Sequence, residues 1–196
     1  RIVRPGQRPA TIGLAMVMVG IGYKLALVPF HMWAPDVYQG APAPVTAFVA
    51  TVSKGGILAL MLRLFTYIPL PMGGSLWNVI ALIAILSILA GNVLAVTQTN
   101  VKRILAYSSI AHFGYLLVAF LAGNALSMSS MTFYLVVYII TSLVAFGVIA
   151  HLSGPERELE ELADYRGLFR QERRSAIFMS LALFSLLGMP LTSGFF

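Results

Sequence analysis

Cysteine is absent from all 196 residues, which excludes disulfides, thiolate zinc sites and cysteine-ligated iron–sulfur clusters. Charge is scarce as well. Only 10% of residues are charged, against about 25% in an ordinary soluble domain. Acidic residues number 7 and basic residues 13, for a net charge of +6. In a soluble chain that excess would suggest nucleic acid. Here it lies mostly between long apolar stretches, where it sets membrane topology instead, and no nucleic-acid partner is expected. No HExxH, P-loop or CxxC occurs. Gly20-Ile21-Gly22 lacks the third glycine and the preceding strand of a dinucleotide fingerprint. No signal peptide is visible, because Arg1 to Thr11 holds Arg1, Arg4, Arg8, Pro5 and Pro9. The longest polar stretch, Ser153 to Ser175, is too short to fold alone, so no soluble domain is expected. Arg1 stands where an initiator methionine would, and the last apolar run reaches Phe196. A fragment of a longer chain is therefore expected.

What the chain has in abundance is hydrophobic surface: 59% of its residues, with a mean hydropathy of +0.87. A helix needs ~20 apolar residues to cross the hydrocarbon core. About six stretches meet or begin to meet that length: Thr11 to Pro29, Pro44 to Thr66, Leu76 to Val96, Ile104 to Ala122, Met131 to Leu152, and one from Ala176 that is cut off at Phe196. Together they predict residues 1–196 to be part of one polytopic, all-α membrane domain. Glycine and proline mark the joints. Pro35, Gly40, Pro42 and Pro44 form the first, Pro69, Pro71, Gly73 and Gly74 the second. Gly123, Asn124 and the serines Ser127, Ser129 and Ser130 form a later one. The acidic run Glu156 to Asp164 reads as a solvated joint balanced by arginines.

Cations fix the sides. Lys102, Arg103, Arg157, Arg166, Arg170, Arg173 and Arg174 fall on one side, and Arg1, Arg4 and Arg8 on the other, with Arg63 near its edge. The richer side is assigned to the cytoplasm, or to the matrix or stroma of an organelle. The Pro29-to-Pro44 joint falls on that side.

Two lysines inside spans carry the functional argument. A mid-membrane ammonium costs at least ~2.5 kcal/mol on insertion scales, and such residues line ion or proton pathways. Lys24 lies about 7 Å and Lys54 about 15 Å from the shared joint at 1.5 Å per residue, on neighbouring antiparallel helices. One aqueous cavity could hold both, with Thr51 on the Lys54 face. The competing reading for Lys24 is snorkelling to the interface; Lys54 is deeper. His112 lies about 13 Å beyond Arg103, near mid-membrane, in a polar stripe with Ser108 and Tyr115. Its competing reading is a neutral histidine that glues helices. Tyr134, Tyr138 and Thr141 make a weaker stripe, equally explained by packing. His31 and Asp36, beside a proline-broken segment, read either as helix-capping turn residues or as the point where protons enter. Pro190 interrupts the last apolar run as Pro29 does the first, and paired broken helices mark transport sites.

Longer motifs carry a family resemblance. The run Tyr23-Lys24-Leu25-Ala26-Leu27-Val28-Pro29-Phe30-His31-Met32-Trp33-Ala34-Pro35-Asp36-Val37-Tyr38-Gln39-Gly40-Ala41-Pro42-Ala43-Pro44-Val45-Thr46 resembles the subunit N family of bacterial proton-pumping NADH-quinone oxidoreductase, respiratory complex I. Matching segments run from Gln98 to Tyr115, Asp164 to Phe169 and Gly188 to Phe195. Multisubunit sodium/proton antiporters share the looser Pro-Phe-His-x-Trp-x-Pro-Asp pattern and supply the alternative reading.

The resemblance implies an antiporter-like bundle of inverted repeats with broken helices, of which this chain is the central part. It implies that Lys24, Lys54 and His112 transfer protons. It implies neighbouring membrane subunits, other antiporter-like ones among them, as partners within the lipid bilayer of a bacterial inner membrane. Flavin, iron–sulfur clusters and quinone would be held by partner subunits, and no cofactor by this chain. A third possibility is a structural membrane subunit whose lysines are snorkelling anchors.

Overall fold

The structure, a computed structural model, describes residues 7–67, 72–154 and 157–189. The Pro69–Pro71 turn, the cations Arg1 and Arg4, and the Pro190 break lie outside the described residues. So does the side chain of Arg8.

The described chain is helical. Helix α1 spans Gln7–Leu25. It stops four residues before Pro29, where the proline has no N–H for the Leu25 carbonyl and its ring would collide with it. Ala26 then takes φ 59°, a left-handed value that costs a non-glycine residue about 1–2 kcal/mol. The surroundings hold the break in place. Val28 N–H donates to Ser87 Oγ at 3.0 Å, and Trp33 Nε1 donates to the Tyr23 carbonyl at 2.9 Å. The Tyr23 and Trp33 rings stack at 5.7 Å. Helix α2 resumes over Trp33–Gly40, with Pro35 in its first turn, where no N–H is needed. The first predicted span is thus a broken helix.

The second span is built from α3 (Ala43–Phe48), a π-helical turn (Val49–Ser53) and α4 (Lys54–Tyr67). Helix α5 covers Ser75–Val96, α6 Val101–Ala122 and α7 Ala125–Leu152. A 3-10 turn at Leu162–Tyr165 and the short α8 (Leu168–Gln171) lead to α9 (Arg173–Leu187). Four of these segments are long and apolar enough to span a membrane: Ala43–Phe65, Ser75–Val96, Val101–Ala122 and Ala125–Leu152; Ile12–Leu25 is a shorter apolar helix.

Local chemistry sets the ends. Asn100 caps α6, its side chain accepting from Arg103 N–H at 3.1 Å. Gly123 ends that helix at φ 63°. Here the structure differs from the expected joint. Asn124 and Ser127 form a capping box, so Ser127, Ser129 and Ser130 lie inside the first turns of α7.

Helix α6 is the centre of the bundle: most of its residues are buried, whereas few of those on α5 are. Close contact between the two depends on glycine. A Cβ at Gly91 would lie 2.7 Å from both Ala111 N and the Tyr107 carbonyl. One at Gly114 would lie 2.8 Å from Ile88 Cγ1. Small residues at helix crossings let membrane helices gain van der Waals contact where no hydrophobic force draws them together.

The two polar joints meet at one end. Arg103 Nη1 pairs with Asp36 Oδ1 at 2.7 Å and bonds Gln39 Oε1 at 3.1 Å. Ala43 N–H donates to Glu158 Oε1 at 2.9 Å across 115 residues. The α7–α9 connector also pairs with the α5–α6 turn, through Leu162 N–H to the Thr99 carbonyl and Val101 N–H to the Glu160 carbonyl. The run from Glu158 onward is therefore not a loose solvated joint. We expect single cysteines at Gln39 and Gln171, in the full-length protein, to react with an impermeant thiol reagent from the same membrane face. Labelling from opposite faces would contradict this arrangement.

Candidate functional site

Lys54 is fully buried, at 0% exposure. Its Nζ donates to Ser109 Oγ of α6 at 2.8 Å. The same nitrogen lies 5.1 Å from the Phe113 ring centre and 5.5 Å from that of Tyr38. Cation–π contact is worth roughly 2 kcal/mol when desolvated, so both rings offset part of the burial penalty. Among the described residues no carboxylate pairs with Lys54. The π turn prepares this geometry. One extra residue in a turn rephases everything after it, and such turns recur at functional sites. Thr51 does not join Lys54; its hydroxyl donates to the Ala47 carbonyl at 2.6 Å.

Ser109 is the hub. Its Oγ also accepts from Tyr138 of α7 at 2.8 Å. Three residues on, His112 is buried, its ring 5.4 Å from that of Tyr138. Its Nδ1 lies 2.6 Å from the Tyr134 hydroxyl. A neutral imidazole either accepts from that hydroxyl or donates to it, according to its tautomer. A void of about 10 Å³ lies beside His112, lined by Tyr134, Tyr138, Thr141 and Ser185. That is close to the smallest volume that holds one water.

The structure thus brings Lys54 and His112 to one polar strip, bridged by Ser109, Tyr138 and Tyr134. The stripe expected on α6 differs by one residue. Ser109, not Ser108, faces Lys54; Tyr115 keeps its ring edge-to-face with His112 at 6.2 Å, while its hydroxyl accepts from Asn92 on the exposed side. The signal for Ser109 was its spacing of three from His112, which Ser108 masked with a spacing of four. Tyr134 and Tyr138, which packing could have explained, are part of the network.

The other candidates are placed elsewhere. Lys24 is exposed in the last turn of α1 and has no hydrogen bond among the described residues, so the described chain does not enclose it with Lys54. His31 is half-buried, and its Nδ1 has no hydrogen-bond partner among the described residues. Asp36, 74% exposed, pairs with Arg103. Lys102, assigned by sequence to topology, is 2% exposed and pairs with Glu158 and, at 3.3 Å, with Glu160.

The hub yields a sharp expectation. Hydrogen bonds to charged groups are worth about 1.5–3 kcal/mol, and a buried charge stripped of its partner loses more. In the full-length protein, Ser109→Ala is therefore expected to lower thermal stability measurably, while Ser109→Thr, which keeps the hydroxyl, stays close to the unmodified protein. The check is the melting temperature in detergent. Equal melting temperatures for Ser109→Ala and the unmodified protein would show that the Ser109 hydroxyl does not support the buried ammonium.

A broken first span, a central glycine-packed helix and a buried lysine on a π-interrupted helix define a multi-span helical membrane protein that holds a titratable group in its interior. The chain belongs to the family described as NADH:quinone oxidoreductase/Mrp antiporter transmembrane proteins, which matches residues 5–196. It is 52% identical over 194 residues to NADH-quinone oxidoreductase subunit N of Methylococcus capsulatus, covering 96% of this chain and 39% of that protein. The chain thus spans about two-fifths of the length of this curated relative. Among solved structures, a chain of respiratory complex I from Thermus thermophilus with bound aureothin superposes at a TM-score of 0.79, with 40% identity over 93% of this chain and 39% of that one. A chain of the Mrp complex from Dietzia sp. DQ12-45-1b shares the fold, at a TM-score of 0.82 with 22% identity over 94% of this chain and 34% of that one. The chain is an integral membrane protein.

Proposed function

We propose that this chain is the central part of the proton-translocating subunit N of an NADH-quinone oxidoreductase. Protons move through Lys54, Ser109, Tyr138 and His112, coupled to NADH oxidation and quinone reduction in partner subunits. The observation that carries this reading is a lysine with no exposure, held by a hydroxyl hub and two aromatic rings and without a carboxylate among the described residues. A stably charged ammonium would be expensive there, whereas a group that loads and releases a proton has a use for such a site. Lys24, on the exposed face of α1 at the helix break, acts as the second lysine of the path, and His31 and Asp36 stand at the end where protons enter. The partners are neighbouring membrane subunits, including other antiporter-like ones, in a bacterial inner membrane. Flavin, iron–sulfur clusters and quinone belong to other subunits of that complex.

The test is NADH-driven acidification of inverted membrane vesicles that carry the full-length subunit in its complex, followed with a pH-sensitive dye with and without sodium. Acidification that needs no sodium is the expected result. A strict sodium requirement would instead assign the chain to a cation/proton antiporter.

A further inference from the structure

The first turn of the Lys54 helix has no side-chain cap of its own. Its N-cap position is Pro42, which has no N–H and no side-chain acceptor, and position 44 is a second proline. The first donor of that turn, Ala43 N–H, is satisfied from far along the chain, by Glu158 Oε1 at 2.9 Å. The other carboxylate oxygen of Glu158 pairs with Lys102. Lys102 in turn donates to the Ala41 carbonyl at 3.0 Å, on the opposite side of Pro42. Glu158 and Lys102 therefore grip the chain just before and just after Pro42. Lys102 stands at the start of α6, and Ser109 lies seven residues further along the same helix. One latch thus ties the start of the helix that carries the donor, Lys54, to the helix that carries its acceptor, Ser109.

We propose that Glu158 is a positioning residue for Lys54. From the α7–α9 connector it caps the Lys54 helix and fixes the register in which Nζ meets Ser109. The inference rests on the reading of Lys54 as a proton carrier and extends it to a residue outside the membrane-spanning segments. Ala43 and Lys54 are eleven residues apart, roughly 16 Å along a helix, and the helical ladder transmits a shift of its first turn to the lysine. Misplacement by ~1 Å can cost a reaction about 100-fold where near-contact geometry is required. The connector continues through α8 into α9, so a movement of that connector reaches the Lys54–Ser109 contact through Glu158.

Capping and ion pairing are separable here, because Lys102 already has a second carboxylate partner, Glu160 at 3.3 Å, that neutralising Glu158 does not remove. Glu158→Gln keeps an acceptor at the same reach. Glu158→Asn carries the same neutral amide one methylene short. Glu158→Leu has no acceptor and is measured alongside. Each is made in the full-length protein within its assembled complex. Two quantities are read: backbone hydrogen exchange of peptides covering residues 43–54, and protons pumped per NADH oxidised. The expected result is that Gln stays within about twofold of the unmodified protein in both. Asn and Leu exchange at least tenfold faster over 43–54 and pump severalfold fewer protons per NADH.

Unchanged exchange in Asn and Leu would overturn the cap. A Gln variant as impaired as Leu would place the effect in the charge and overturn it too. Faster exchange with unchanged pumping would overturn the positioning role. If Lys54→Ala meanwhile stops pumping, this inference fails alone; if Lys54→Ala pumps normally, the reading of Lys54 itself has failed.

Discussion

Lys54→Ala, in the full complex, is expected to abolish most proton pumping while leaving assembly close to normal. Truncation removes a buried ammonium whose retention costs at least ~2.5 kcal/mol on insertion scales, so α4 gains stability by that term. It loses one hydrogen bond to Ser109 and the contacts to the Tyr38 and Phe113 rings. The two effects offset each other, and the helix persists. What cannot be replaced is a titratable group at that point. Positioned acid–base groups contribute about 10²- to 10⁴-fold, so the step through Lys54 is expected to slow by roughly 100-fold. Lys54→Arg restores the charge but not function, because a guanidinium does not release its proton near neutral pH. Assembly is read by native gel electrophoresis, pumping by dye quenching in vesicles. Normal assembly with an unmodified pumping rate and stoichiometry would contradict the proposed path.

Gly91→Val is expected to have the opposite signature, a loss of assembled subunit. At Gly91 the added Cβ would meet backbone atoms of α6 at 2.7 Å, and backbone cannot rotate away as a side-chain tip can. Forced overpacking costs about 1–3 kcal/mol for ordinary side-chain collisions, and a backbone collision at a helix crossing stands at the upper end or beyond. Separating α5 from α6 would also disturb Ala111, the neighbour of His112. Gly91→Ala is expected to reduce the amount of assembled subunit, and Gly91→Val to remove it. Gly13→Ala, where an added Cβ meets nothing within 4 Å, is the matched control and leaves it unchanged. Quantitative immunoblotting of membranes checks all three, and normal levels for Gly91→Val would refute the close crossing.

The latch responds to pH in a direction that can be worked out. Burial alone would raise the Glu158 carboxyl. The Lys102 hydrogen bond, the Ala43 N–H and the Lys102 charge outweigh it and hold the group below its ordinary value of 4.5. A carboxylate whose folded value is lowered adds stability above its unfolded value and loses it as pH falls through the folded one. Thermal stability of the complex is therefore expected to retain this contribution from neutral pH down to the ordinary carboxylate range and to shed it below that, with Glu158→Gln showing a shallower loss over the same window.

Much of this architecture is written in short-range chemistry. Hydropathy placed the spans to within a few residues where a cap or proline sits at the boundary: Pro29 four residues past the end of α1, Asn100 before α6, Gly123 after it. It misplaced the start of α7 because Ser127, Ser129 and Ser130 look like a loop by composition. Whether a serine ends a helix or caps its first turn depends on which N–H it reaches. Lys54 and His112 were visible as functional candidates because charge and imidazole are rare in apolar runs, and rarity is a property of sequence.

What the sequence determined, then, is that this is a membrane-spanning helical chain with a broken first span and two lysines out of place in apolar surroundings. Only the tertiary structure decided which of them is enclosed. Lys54 is buried because it follows a π turn packed on α7 and its side chain reaches Ser109 of α6, whereas Lys24 faces outward from a helix that ends one residue later. The structure likewise chose Ser109 over Ser108 as the hub and turned Glu158 from a charge in a joint into the cap of the Lys54 helix. Each of these rests on which groups come within about 3 Å, and residues 55 or 115 positions apart meet at that distance only once the helices have packed.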